Sequence, residues 1–159
     1  MPIKLRRVQQ TDCELLWQWA NDPTTRIASF SPHPIPWAHH VEWFQAKMID
    51  PDCVFFIATT MRDVPVGQIR YDIQNDSATV SVSIDKSFRG QGYGTLLIEQ
   101  SCRKLLEQIE VAIVNAYIKI ENTPSKQTFL NAGFIEQGAT MVHNHSSFHL
   151  IWRQTKDSS

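Results

Sequence analysis

The stretch from Cys53 to Ile84 leaves the chain few folding options. "CVFFIATT" (53–60) is an apolar run of strand length that ends in the turn "MRDVP". "VGQIRYDI" (66–73) alternates Ile69, Tyr71 and Ile73 with Gln68, Arg70 and Asp72. "ATVSVSI" (78–84) alternates Val80, Val82 and Ile84 with Ser81 and Ser83. A period of two is the mark of strands. The connections, "MRDVP" and a turn at Asn75-Asp76, are far shorter than the dozen or more residues a parallel crossover takes. Three strands joined this way form an antiparallel meander.

The meander runs into "SIDKSFRGQGYGTLLIEQSC" (83–102), where Gly90, Gly92 and Gly94 follow Arg89. A helix pattern comes next, with the apolar stripe Ile98, Cys102, Leu105 and Ile109. Glycines between a strand and a helix let backbone N–H groups come close to an anion, most often a phosphate. A dinucleotide fingerprint would need a third glycine where Thr95 stands and an acidic residue near Val114, and it belongs to a parallel unit. A Walker loop would need Lys followed by Ser or Thr, which these glycines lack. What remains is Arg89-x-x-Gly92-x-Gly94.

The flanks supply more elements. "IKLRRV" (3–8) alternates as a strand, and Thr11-Asp12-Cys13-Glu14 has the form of a capping box opening a helix with Leu15, Leu16 and Trp19 on its apolar face. "NDPTTRIASFSPHPIPW" (21–37), with four prolines, reads as an ordered loop. A second helix begins at Trp37, with Trp37, Val41, Phe44 and Met48 at helical spacing and Pro51 after its end. "VAIVNAYIKI" (111–120) is a strand, 122–132 a short helix with Pro124 in its first turn and Gly133 at its stop, and "SSFHLIWR" (146–153) a last strand. The order predicts one mixed α/β domain over 1–154, with a disordered tail at 155–159.

Bulk properties narrow the function. A chain of 159 residues, 42% hydrophobic, fits one domain with a full core. A net charge of −1 points to neither nucleic acid nor an anionic membrane as partner. No apolar run approaches the roughly 20 residues of a bilayer span, and "MPIKLRRVQQ" lacks the apolar core of a signal peptide, so a cytoplasmic location is expected. Cys13, Cys53 and Cys102, odd in number and scattered, are expected to be buried free thiols.

The motif R-x-x-G-x-G between strand and helix resembles that of the GNAT N-acetyltransferases, whose phosphate ligand is coenzyme A. The element order is similar from "IKLRRV" to "HLIWR", and "ENTPSKQTFLNAGF" resembles a later family motif, an Asn opening a helix that ends in Gly-Phe. The resemblance implies a mostly antiparallel, splayed sheet with helices on both faces, acetyl-CoA as co-substrate and no metal. It implies that backbone groups of Val82 and Ile84 pair with the pantetheine arm. The pyrophosphate would rest on N–H groups of Arg89, Gly90, Gln91, Gly92, Tyr93, Gly94 and Thr95. Asn122 matches the residue that contacts the coenzyme arm, and Ser125 follows one turn on; the same two residues also read as an N-cap and a solvated helix position.

The chemistry departs from the family. The Glu often found on the strand before the loop is absent, with Ser81 and Ser83 at the candidate positions, and the Tyr expected seven residues after Asn122 is Phe129. General base and general acid are left unassigned. His143, His145 and His149 allow a metal, an acceptor-site base or ordinary hairpin histidines.

For the acceptor, "WANDPTTRIASFSPHPIPWAHHVEWF" resembles enzymes acting on nucleotide-linked amino sugars, and also ribosomal-protein N-terminal acetyltransferases. Arg26 fits a phosphate, and Phe30, Trp37 and Trp43 fit a wall for a sugar or uracil ring, with His40 beside them; helical spacing also suits Trp37 and Phe44 to the core. The expected function is acetyl transfer to a primary amine, with a nucleotide-linked amino sugar first. A protein N-terminus or lysine is the alternative, and a silent acyl-CoA-binding module the rival from another class. A small-molecule amine is the expected partner, and a homodimer is open.

Overall fold

The computed structural model describes residues 2–154, and the tail expected at 155–159 lies outside them. Seven strands form one sheet: β1 (Ile3–Arg7), β2 (Cys53–Thr60), β3 (Pro65–Gln74), β4 (Ser77–Ile84), β5 (Ile113–Lys119), β6 (Ile135–Val142) and β7 (His145–Arg153). Their order in space is β1-β2-β3-β4-β5-β7-β6, and only β4 and β5 pair in parallel. The expected meander is β2-β3-β4, in register from Gly67 opposite Ile84 to Gln74 opposite Ser77.

The helices are α1 (Cys13–Ala20), α2 (Pro23–Ala28), α3 (Trp37–Ile49), α4 (Tyr93–Gln108) and α5 (Thr123–Asn131). They cover both faces of the sheet, and β2 shows why its sequence is apolar throughout. Its Phe55 and Ile57 pack with Leu16, Trp19 and Phe44 of α1 and α3. Its Val54, Phe56 and Ala58 point the other way, into the larger core with Leu97, Ile98 and Leu105 of α4. Among the described residues no helix is long and apolar enough to cross a membrane.

Several expectations need correction. The 21–37 stretch is not all loop, because Asp22 caps α2 by accepting from the N–H groups of Thr24 (3.0 Å) and Thr25 (3.2 Å), with Pro23 preset at the first helical position. The box before α1 is built one turn early: Asp12, not Glu14, reaches back, accepting from Gln9 N–H at 2.7 Å. Asp12 also takes both guanidinium nitrogens of Arg6, at 2.7 and 2.8 Å. Burial raises the Asp12 carboxyl, but the Arg6 and Gln9 bonds outweigh it and hold the group below its ordinary value. Cys102 alone is buried; Cys13 and Cys53 are half-buried, and all three are free. Trp37, placed in the core by spacing, is 45% exposed, while Phe44 is fully buried. β6, an exposed edge strand, was not separately legible in the sequence.

One irregularity positions everything that follows. β4 and β5 pair over three rungs only, Ser77 with Ile113 through Thr79 with Asn115. Past Thr79 the strands part, and β5 continues beside β7 as far as Lys119 opposite Ser147. At about 3.3 Å per residue, Val80 to Ile84 make a wedge roughly 16 Å deep. Backbone groups of β4 that face it have no strand partner there, which is unusual in the middle of a sheet.

Candidate active site

The wedge opens toward the glycine loop. Gly92 closes the loop in the left-handed region (φ 88°) as the N-cap of α4, and Gly90 is left-handed too (φ 72°). L side chains strain both conformations. Leu96 N–H is the first to bond back into the helix, to the Gly92 carbonyl at 3.3 Å, so those of Tyr93, Gly94 and Thr95 have no intrahelical acceptor. Gly94 serves packing as well: a Cβ there would lie 3.0 Å from Thr128 Cγ2 of α5. Tyr93 stands edge-on to Phe88, centroids 5.4 Å apart.

Wedge, loop, α5 and the α1–α3 region together bound a cleft of about 980 Å³. Of the residues that sequence and resemblance single out for the cofactor or the acceptor wall, all but Gln91 and Trp37 line it. Gln91 is exposed, and its amide donates to the Ser87 carbonyl at 3.1 Å.

Lining the cleft is not the same as being available. Arg89, expected as a cation for phosphate, donates from Nε to the Ile84 carbonyl (3.0 Å) and from Nη2 to Asp22 (2.9 Å). Its charge is largely matched, and its structural work is to tie α2 to the end of β4. Burial raises the Asp22 carboxyl, yet the Arg89 bond and the Thr25 and Thr24 N–H groups bring it below the ordinary value. Arg26, expected to take a phosphate, is spent on backbone carbonyls: Ala20 (2.5 Å), Ser31 (2.8 Å) and His33 (3.3 Å). Burial lowers its pKa. His40 is 3% exposed with its Nε2 2.8 Å from the Cys13 carbonyl oxygen, and burial pulls its pKa down against the upward effect of that bond. Arg26 and His40 therefore serve to build the wall, not to reach from it. Asn122 caps α5 by accepting from Ser125 N–H at 3.3 Å, so its side-chain oxygen has an internal partner.

The aromatic wall is Phe30 and Trp43; Trp37 turns away, edge-on to Trp17. The β6–β7 turn, with His143 and Asn144 at positive φ, brings His143 and His145 within 6.4 and 6.2 Å of the Phe30 ring. His143 lies in the turn itself, and His145 opens β7. His149 is apart from them, stacked on Tyr117 (4.6 Å, 9°) with Nε2 2.8 Å from Asn115 Oδ1; burial lowers its pKa. Among the described residues no group of three or more His, Cys, Asp or Glu is placed to hold a metal.

Sequence reasoning missed the polar ladder on the floor. Gln68 and Arg70 of β3 face the cleft beside their register partners Ser83 and Ser81 of β4, with Gln68 Nε2 donating to Ser83 Oγ (2.9 Å) and Arg70 Nη2 to Ser81 Oγ (3.3 Å). The guanidinium of Arg70 lies 5.0 Å from the Trp43 ring centroid. The signal was there in the strict alternation of β3. Its polar positions had to face something, and only the register with β4 says what. Tyr117 of β5 also lines the cleft, whereas no described Asp or Glu does. Carboxylates on the walls are engaged: Asp22 with Arg89, Asp72 with Lys47 (2.7 Å) and Arg70 (2.9 Å), and Asp85 with the Trp19 indole N–H (2.8 Å).

Comparison with known proteins agrees with this architecture. The family model of the acetyltransferase (GNAT) domain matches residues 3–135. The fold is similar to spermidine N-acetyltransferase from Vibrio cholerae in complex with CoA and spermine (TM-score 0.86, 15% identity, 96% of this chain and 95% of that one). It is also similar to AAC(6')-Ib in complex with ribostamycin and coenzyme A (TM-score 0.85, 16% identity, 97% and 94%). A third similar structure is the aminoglycoside acetyltransferase AAC(6')-Ib with coenzyme A and kanamycin (TM-score 0.83, 17% identity, 96% and 95%). At such identities the likeness is one of fold. These relatives are named for a polyamine and for aminoglycosides, not for nucleotide sugars or ribosomal proteins. No curated protein matches the chain.

Proposed function

This chain belongs to the acetyltransferase (GNAT) family, and on that premise we propose that its cleft transfers acetyl from acetyl-CoA to the primary amine of a nucleotide-linked amino sugar. Acetyl-CoA, when bound, supplies the acetyl group as a thioester; one proton leaves the amine nitrogen, and one ends on the departing sulfur.

The residues present fit that group. The left-handed glycines and the free N–H groups of Tyr93, Gly94 and Thr95 suit a pyrophosphate. The wedge offers β4 backbone at Val82 and Ile84 to an extended amide-bearing arm, and Asn122 and Ser125 flank its mouth on α5. Arg89 is bonded to Asp22 and to the Ile84 carbonyl, so Asp22 offsets much of the charge it would otherwise offer an anion.

Phe129, 3% exposed and edge-on to Phe134, lines the cleft where the family often has Tyr, so it excludes water and offers no proton. No described carboxylate lines the cleft, and of the histidines on its lining His40 is buried in the wall while His33 and His39 are exposed. Rate enhancement then comes from orientation, which alone can be worth several kcal/mol, and from discrimination against the ammonium form.

A single observation carries the acceptor reading: the rings of Phe30 and Trp43 line the cleft, and no described carboxylate does. A polycation such as spermidine or an aminoglycoside would be desolvated there without an opposite charge, which is costly. An acceptor with a sugar and a base ring finds stacking surface instead. The test is thiol release from acetyl-CoA with UDP-glucosamine, spermidine, kanamycin and a basic N-terminal peptide as acceptors. Turnover of UDP-glucosamine well above the polyamine and aminoglycoside is expected. Preferred turnover of spermidine or kanamycin would refute the acceptor class and leave the transferase reading intact. Preferred turnover of the peptide would support the protein-amine alternative.

A further inference from the structure

Within the polar ladder, the Gln68 side chain is only half satisfied. Its Nε2 donates to Ser83 Oγ at 2.9 Å. Its Oε1 is buried, and no described protein group donates to it. Whichever way an amide is turned, one hydroxyl meets only one of its ends. A buried acceptor left unpaired costs roughly as much as the bonds around it contribute, so such atoms are uncommon and call for a reason.

The backbone around Gln68 is closely packed. Its neighbour Gly67 pairs with Ile84, and a Cβ on Gly67 would lie 2.5 Å from the Ser83 carbonyl oxygen, so β3 and β4 approach closely at this rung. Ser83 in turn lies on the stretch of β4 that has parted from β5. Gln68 and Ser83 therefore stand on the cleft floor beside the wedge, with Phe55 and Trp43 lining the same face. An acceptor entering from the α1–α3 side would meet this amide next to the strand that, on the acetyl-transfer reading, would hold the thioester arm.

We propose that Gln68 Oε1 accepts a hydrogen bond from the acceptor amine and so aims the nitrogen lone pair at the acetyl carbon, with Ser83 fixing the amide's rotation. This rests on the acetyl-transfer reading above. It makes Gln68 an orienting residue that touches the acceptor, and it explains why a glutamine suffices in a cleft that no described carboxylate lines. A neutral acceptor oxygen binds an uncharged amine without stabilising the unreactive ammonium as strongly as a carboxylate would.

Two variants test it. Gln68→Met keeps much of the volume and removes the amide; Gln68→Glu keeps an acceptor oxygen. Gln68→Met should lose about tenfold to a hundredfold in kcat/KM for the acceptor, with the KM for acetyl-CoA unchanged within about twofold. Gln68→Glu should recover part of that loss, and not all of it, because a carboxylate also holds the unreactive ammonium. The thermal midpoint of Gln68→Met without ligands should stay within a few degrees of the wild type, because the unpaired buried oxygen and the bond to Ser83 are lost together. The proposal is overturned if Gln68→Met keeps acceptor kcat/KM within about twofold, if both variants lose alike, or if the Met midpoint falls by more than those few degrees together with activity, which would make the residue structural. UDP-glucosamine is the first acceptor. If the wild type prefers spermidine, kanamycin or peptide, the acceptor class fails, while the Gln68 comparison is made on the preferred amine.

Discussion

Asp22 joins three things that the sequence keeps apart: the start of α2, the glycine loop and the end of β4. Replacing it with alanine removes the cap bonds to Thr24 and Thr25 and the ion pair to Arg89. An aspartate cap is worth about 1 kcal/mol. The ion pair joins a guanidinium 31% exposed to a carboxylate 16% exposed. Solvent screens much of it, which puts it at about 1 kcal/mol rather than the several kcal/mol lost when a fully buried pair is broken. Asp22→Ala should thus cost about 2 kcal/mol, a fall of roughly 4–8 °C in thermal midpoint for a domain of this size. Asp22→Asn caps nearly as well as Asp but forfeits the pair, and should cost about half as much. A double-mutant cycle of Asp22→Asn with Arg89→Gln, by thermal and urea unfolding, should return about 1 kcal/mol of coupling. Calorimetric titration adds a readout of opposite sign. Asp22→Asn should bind acetyl-CoA more tightly than wild type, because a fixed negative charge leaves the neighbourhood of an anion site. Equal losses for Asn and Ala would refute the cap. Coupling below about 0.3 kcal/mol would refute the pair, and weaker cofactor binding by Asp22→Asn would refute the account of Arg89.

Other consequences can be checked with the same protein. Phe129→Tyr restores a hydroxyl on the cleft wall and should raise kcat about tenfold with little change in acetyl-CoA KM; an unchanged kcat would mean that protonation of the leaving sulfur is not limiting. Gly67→Ala drives a Cβ to 2.5 Å from the Ser83 carbonyl oxygen and should cost about 3 kcal/mol by urea unfolding, whereas Gly90→Asn, with no atom within 4 Å and a residue type that accepts positive φ, should cost under about 1 kcal/mol. His40 has its pKa lowered by burial, so the unfolded chain binds its proton more readily. The stability it contributes is complete above about pH 6.5 and is lost as pH falls toward its folded value. The thermal midpoint should therefore drop between about pH 7.5 and 5.5, and His40→Gln should flatten that slope; an equally steep slope in the variant would exclude His40 as a source.

The local grammar of the chain was enough for most elements. Period-two alternation placed the strands of the meander, and glycines after a strand and before a helix marked an anion site, because these patterns arise from neighbours within a few residues. α2 escaped because an Asp-Pro start and a proline-rich loop look alike until the cap bonds close. Trp37 and Phe44 share a helical stripe, so spacing could not separate an exposed ring from a buried one; packing against Leu16, Trp19 and Phe55 did that. Residue type likewise said that Arg89 and Arg26 are cations, but not that a carboxylate 67 positions away and a set of loop carbonyls already hold them. The wedge itself is invisible in one dimension. It exists because β5 leaves β4 after three rungs to follow β7, a choice made by long-range pairing. Sequence alone therefore determined the kind of fold and the place of the phosphate loop, since both follow from short-range periodicity and backbone freedom. Tertiary structure decided which charges are free, which polar atoms lack a partner and that no described carboxylate lines the cleft, since these depend on which distant side chains share one small volume.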